Sequence, residues 1–168
     1  MSDTTTDQVP HPTPEHRLLN VFVGQWAAEG DSYTGEPSPG QPHRSTVKWS
    51  SNESYAWLPG EFFLEHRFDA LAGDRALRGI EILGYDSATN SYFADFFENH
   101  GFRPKYQVSV RGREWTFVED SSRAMVLFSE DGNRMTVHWD WRPDGEDWQP
   151  LCDRTATKNK PSHDGRNA

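Results

Sequence analysis

Apolar and polar positions alternate with a period of two along most of this 168-residue chain. Between residues 62 and 69, Phe62, Leu64, His66 and Phe68 share one parity, and Phe63, Glu65, Arg67 and Asp69 share the other. Strand-like segments fall at 25–33, 45–55, 61–69, 77–85, 92–98, 104–110, 114–118, 125–128, 135–141 and 148–158. A period of two places alternate side chains on opposite faces of a strand. A different pattern precedes them. Thr13-Pro14-Glu15 reads as a helix start, with Thr as N-cap, Pro at the first helical position and an acid in the first turn. Leu18, Leu19 and Phe22 then lie on one helical face, and the helix stops at Gly24.

Turn chemistry separates the strands. Pro and Gly crowd residues 35–40, Pro59-Gly60 suits a type II turn, and further turn signals fall at 73–74, 86–90, 99–101, 111–112, 130–133 and 143–145. Short strands punctuated this often predict an all-β sandwich or barrel. No stretch after Trp26 offers a crossover helix, which excludes a parallel βαβ architecture. Tight hairpins imply an up-and-down order, and closure removes both exposed edges. The expected fold is all-β: a closed or nearly closed antiparallel up-and-down barrel of about ten strands, with a short N-terminal helix lidding one end. Gly24 lets the backbone turn out of the helix, and Trp26 supplies a flat group to plug the barrel. Residues 13–158 form this single domain, flanked by disordered tails at 1–12 and 159–168.

Composition narrows the picture. Hydrophobic content is 34% and mean hydropathy -0.88, but aromatic residues reach 13%, so the core is expected to be small and built from rings. The net charge of -9 disfavours nucleic acid and anionic membranes as partners. The single Cys152 excludes an intrachain disulfide. Residues 1–15 carry no basic and apolar leader, and no apolar run reaches membrane-spanning length, so a soluble cytoplasmic protein is expected. Metal-ligand motifs, a nucleophile elbow and a glycine-rich phosphate loop are all missing, so neither a metal nor another cofactor is expected.

Several pieces, in order, carry a family pattern. They are Leu18-Leu19 leading to Val23-Gly24-Gln25-Trp26, then Trp57-Leu58-Pro59-Gly60 before Phe62-Phe63-Leu64. Gly84-Tyr85-Asp86 with Tyr92, Trp115-Thr116-Phe117, Asp144-Gly145 with Trp148, and Arg154 complete it. The chain from about 16 to 158 resembles a bacterial family of unknown function with a lipocalin-like, calycin-type barrel. The resemblance implies about ten strands and an internal cavity, and carries no activity. Together with the fit of a guanidinium over an indole, it places Arg154 on or beside Trp26 as the structural floor. Nitrobindin-type haem barrels are distantly similar and share the Gly-x-Trp opening. They take their iron ligand from a histidine near the chain's end, where this chain offers only His163 in its tail.

The inward parity of the third strand brings one titratable group, His66, among Phe62, Leu64 and Phe68. It is a core histidine or a pocket base and ligand anchor. Glu81 shares a parity with Gly79, Leu83 and Tyr85, opposite Ile80 and Ile82, so it is either a pocket carboxylate or a solvent-facing charge. Asp95 poses the same question: Phe93 and Phe97 share its face, while Tyr92, Ala94 and Phe96 share the other. Val137, Trp139 and Trp141 make the better inward face of their strand, which turns His138 and Asp140 to solvent; in the reversed register they become pocket groups. The expected ligand-binding set is Phe62, Leu64, His66, Phe68, Glu81, Asp95, Phe97 and Trp139. His66, Glu81 and Asp95 are the catalytic candidates. The leading expectation is a barrel that binds a partly apolar small molecule in its largest pocket, with His66 and one carboxylate fixing orientation. The alternatives are a cyclase or isomerase using that pair as acid and base, a haem-binding barrel, or a barrel filled by its own side chains. A homodimer is compatible with the sequence but not specified by it.

Overall fold

The computed structural model describes residues 9–35, 44–142 and 147–160. The expected turns at 36–40 and 143–145, and most of both expected tails, lie outside the described residues. Helix α1 (Pro14–Leu18) and a single 3-10 turn (Leu19–Val21) lead into ten strands. These are β1 (Gly24–Thr34), β2 (Ser45–Trp57), β3 (Phe63–Ala72), β4 (Arg75–Asp86), β5 (Ser91–Glu98), β6 (Lys105–Arg111), β7 (Glu114–Val118), β8 (Ser122–Phe128), β9 (Arg134–Trp141) and β10 (Gln149–Lys158). Each strand pairs antiparallel with its sequence neighbours, and β10 pairs with β1, so the sheet closes into an up-and-down barrel. The expected closure is observed.

The boundaries shift by a few residues, for identifiable reasons. β3 starts at Phe63 rather than 61, because the Glu61 N–H donates to the Leu58 carbonyl at 2.9 Å and closes the Pro59-Gly60 turn first. Phe62 thus sits ahead of the strand and packs edge-on against His16, with ring centroids 5.3 Å apart. β8 begins earlier than the apolar run suggests, since Ser122 and Arg123 pair with Trp141 and Asp140 of β9.

The helical segment seals one end. Leu19, Phe22 and Trp26 are fully or almost fully buried there with Leu64, Leu83, Phe128 and Met135. The Trp26 indole N–H donates to the Phe22 carbonyl at 2.7 Å, which locks the plug to the turn before β1. Gly24 has φ 137°, the conformation that turns the chain from helix into strand. The Tyr92 hydroxyl donates to the Glu15 carbonyl at 2.8 Å and ties α1 to β5. The cation over Trp26 is Lys158, with Nζ 4.8 Å from the ring centroid, and not the expected Arg154. Register explains the difference: Trp26 lies opposite Lys158 across the β1–β10 seam, whereas Arg154 lies opposite Gly30, further along the barrel.

Because the plug packs around Trp26, Trp26→Ala should lower unfolding stability by about 3–5 kcal/mol. Leu71→Ala on the exposed outer face should cost less than about 1 kcal/mol. Urea unfolding of both variants measures this; equal losses would show that Trp26 does not hold the plug.

Candidate functional site

Beyond the plug, the barrel interior changes from apolar to charged. β2 sends Trp49, Ser51, Glu53 and Tyr55 inward; β3 sends His66 and Phe68; β4 sends Glu81. The ladder places Tyr55 opposite His66 and His66 opposite Glu81, so the three residues form one row across three strands. The His66 ring bonds Glu53 Oε2 through Nε2 and Glu81 Oε2 through Nδ1, both at 3.0 Å. Tyr55 stacks on the imidazole with centroids 3.9 Å apart and planes within 6°. Ser51 Oγ donates to Glu53 Oε1 at 2.7 Å, and the Trp49 indole N–H donates to Ser51 Oγ at 3.1 Å.

Arg154 of β10 completes the group. Gly30 of β1 lies between it and Trp49 of β2 in the ladder. A side chain at Gly30 would meet the Asp153 carbonyl oxygen at 1.9 Å and Arg154 Cα at 2.6 Å, so only glycine lets β10 come this close. Arg154 extends across the bare position and lies 4.9 Å over the Trp49 ring, with Nη1 3.6 Å from Glu53 Oε1. Two carboxylates thus face an imidazole and a guanidinium in the barrel interior.

The charges set one another. Burial disfavours an imidazolium, but hydrogen bonds to Glu53 and Glu81 outweigh it and raise the His66 pKa. Burial also opposes ionisation of Glu53, but Arg154, His66 and Ser51 together hold its carboxyl well below the usual carboxylate range. Both ring nitrogens lie 3.0 Å from carboxylate oxygens, an arrangement that an imidazolium satisfies by donating from each. Two acidic side chains thus sit against two basic ones, an arrangement that avoids the desolvation cost of an unpaired ion.

This group borders a cavity of about 300 Å³. Trp49, Phe68, Leu77, Phe96, Tyr106 and Trp139 give it apolar walls, and Glu53, His66 and Arg154 lie on one side. Phe68 and Phe96 stack at 5.1 Å, across Gly79, where a Cβ would stand 2.7 Å from the Phe68 ring. Cys152 also faces the cavity, and burial pushes its thiol up to about 11, so it packs as an unreactive group. The cavity is not the largest depression. A groove of about 460 Å³ bordered by Asn52, Arg67, Asp69 and Arg78 is larger.

The candidates of the sequence divide accordingly. His66, Phe68 and Trp139 line the cavity; Glu81 touches His66 from behind and is buried. Leu64 is buried in the core beside the plug, and Phe62 packs on the helix. Asp95 and Phe97 lie on the outer face: Asp95 is 3.9 Å from Lys105, and Arg103 covers the Phe97 ring. The expected placement of these two inside is corrected by the register, in which Glu81 pairs with Phe96 and Ile82 with Asp95. Arg154 moves from the floor to the cavity wall. His138 is exposed on the outer face, bonded to Asp153 and Asp140. Glu53 was missed, although the alternation Val47, Trp49 extends through Ser51 to Glu53 and Tyr55. Among the described residues no group of His, Cys, Asp and Glu could hold a metal ion, and no helix is long and apolar enough to cross a membrane.

Comparison with known proteins fits this architecture. Residues 11–149 match the model of a protein family of unknown function, DUF1579, and the chain belongs to that family. No curated protein matches. The crystal structure of Rv2717c from M. tuberculosis is similar, with TM-score 0.56 and 13% identity over 88% of this chain and 99% of that one. The structure of the S-type phycobiliprotein lyase CPES from Guillardia theta is also similar, with TM-score 0.50 and 8% identity over 89% of this chain and 94% of that one. At these identities the likeness is one of fold.

The raised His66 pKa has a definite signature. Stability gained from the imidazolium is fully present below its unfolded value of 6.5 and is lost as pH rises through the folded value. The depressed Glu53 acts in the opposite sense and only at acid pH, above whose range its contribution is constant. The stability advantage of wild type over His66→Gln should therefore be full below about pH 6.5 and shrink as pH rises above it. His138 also has a raised pKa but is common to both proteins and cancels. A pH-independent difference in urea unfolding would show that His66 is neutral in the fold.

Proposed function

We propose that this member of a family of unknown function is a small-molecule-binding barrel of lipocalin-like type, whose ligand is partly apolar. The cavity of about 300 Å³ between aromatic walls and a charged floor carries this reading. It lies at the small end of ligand pockets, whose typical range is roughly 300–1,000 Å³. The likeness to a phycobiliprotein lyase supports it in one respect: a barrel of this shape also serves a protein named as a lyase of phycobiliproteins.

Binding is favoured over acid–base catalysis by the state of His66. Both ring nitrogens are taken by carboxylates at 3.0 Å, so the ring has no lone pair to offer a substrate proton. The same engagement disfavours His66 as an axial haem ligand, which needs a free imidazole nitrogen. Its role in this reading is to hold Glu53 in place beside the cavity and to tie it to Glu81 behind.

Trp49 and Trp139 in the wall provide the readout. A hydrophobic aromatic compound that fills the cavity should quench or shift their fluorescence saturably. Ala72→Trp, which fills the cavity from β3, should weaken that binding at least about tenfold, or roughly 1.4 kcal/mol, with an unchanged far-UV spectrum. Unaltered binding in a folded Ala72→Trp protein would place the compound elsewhere.

A further inference from the structure

The polar groups of the cavity are not equally satisfied. Glu53 uses both carboxylate oxygens, one for Ser51 and one for His66. Glu98, at the rim, accepts from the His100 and Phe102 N–H groups and from the His100 ring. Ser122 Oγ donates to Glu119 at 2.6 Å, which leaves the Tyr106 hydroxyl to donate to Ser122 at 3.0 Å. Ser32 Oγ donates to the Leu151 carbonyl at 3.4 Å. The acceptors and hydroxyls around the cavity are thus committed to protein partners.

Arg154 is the exception. A guanidinium carries five N–H donors. Its buried Nε has no hydrogen-bond partner among the described residues. Its nearest anion, Glu53, stands at 3.6 Å, beyond hydrogen-bond length. The side chain retains 14% exposure and lines the cavity. Trp49 beneath it fixes the plane of the fork and gives it no acceptor. The Nε itself is closed off, so a ligand acceptor would meet the part of the guanidinium that stays open to the cavity.

Building on the binding reading above, we propose that the ligand is an apolar monocarboxylate, its carboxylate received by Arg154 and its body lying between Phe68, Phe96 and Trp139. A planar carboxylate matches the guanidinium fork in two parallel hydrogen bonds. A single negative charge is what the site can take. His66 and Arg154 already face Glu53 and Glu81, so an added charge must be matched from the rim, where one cation cannot balance both charges of a phosphate monoester. Arg75 on the rim offers the incoming monoanion a further cation.

The test compares three probes of one shape, 4-phenylbutyrate, its methyl ester and 4-phenylbutan-1-amine, by calorimetry and by tryptophan fluorescence on the full chain. Wild type should bind the acid at least about tenfold more tightly than the ester, or roughly 1.4 kcal/mol, and the amine more weakly still. Arg154→Gln alone leaves Glu53 buried without its cation, so Arg154→Gln is combined with Glu53→Gln to keep the interior neutral. The folded double variant should bind the ester as wild type does and lose the preference for the acid. If acid and ester bind wild type alike, or the double variant keeps the preference, the carboxylate assignment is overturned while the binding reading stands. If none of the three displaces or alters a tryptophan signal, the binding reading falls with it.

Discussion

A charge inside a barrel survives only beside an opposite charge, and this protein carries four there. Glu53, His66, Glu81 and Arg154 come from four strands, and none is tolerable alone. Breaking such a set by removing one member leaves an uncompensated ion and typically costs 3–5 kcal/mol, roughly the effect of deleting a large core residue. The barrel must therefore close in one register. A slip by one residue on β3 would send His66 outward and strand two buried carboxylates. Specificity of fold and shape of the cavity rest on the same side chains.

The interior also explains where apolar packing ends. A line of rings runs from Phe22 to Tyr55 at 5.4 Å, to His66 at 3.9 Å, to Phe68 at 5.6 Å and on to Phe96 at 5.1 Å. His66 stands midway, an aromatic plane on its faces and a charge at its edges. It joins the sealed end to the cavity without breaking the stack. Gly30 and Gly79 do the converse, since their bare positions let Arg154 and Phe68 lie across the sheet.

The sequence reveals the architecture because turn chemistry and alternation act locally. It reveals β3 as well, where Leu64 and Phe68 bracket His66 with one parity. It does not decide β4 and β5, because both of their faces are apolar. Ile80, Ile82, Phe93 and Phe97 shield one another on the outer face, so counting apolar residues gives no preferred side. The tie is broken by pairing: residues opposite in a ladder share a face, and Glu81 pairs with both His66 and Phe96. Arg154 is harder still. Its position depends on which residue faces it across the β1–β10 seam, a relation between the two ends of the chain that no local pattern contains.

That seam has a kinetic meaning. Every other strand pairing joins sequence neighbours, so the loop-closure entropy of those steps is small. β1 against β10 alone spans nearly the whole domain, and it is the contact that raises the contact order of an otherwise local topology. Arg154 reaches Trp49 and Glu53 only when this seam is zipped. The cavity is thus completed by the strand pairing that, among the described residues, closes the longest loop.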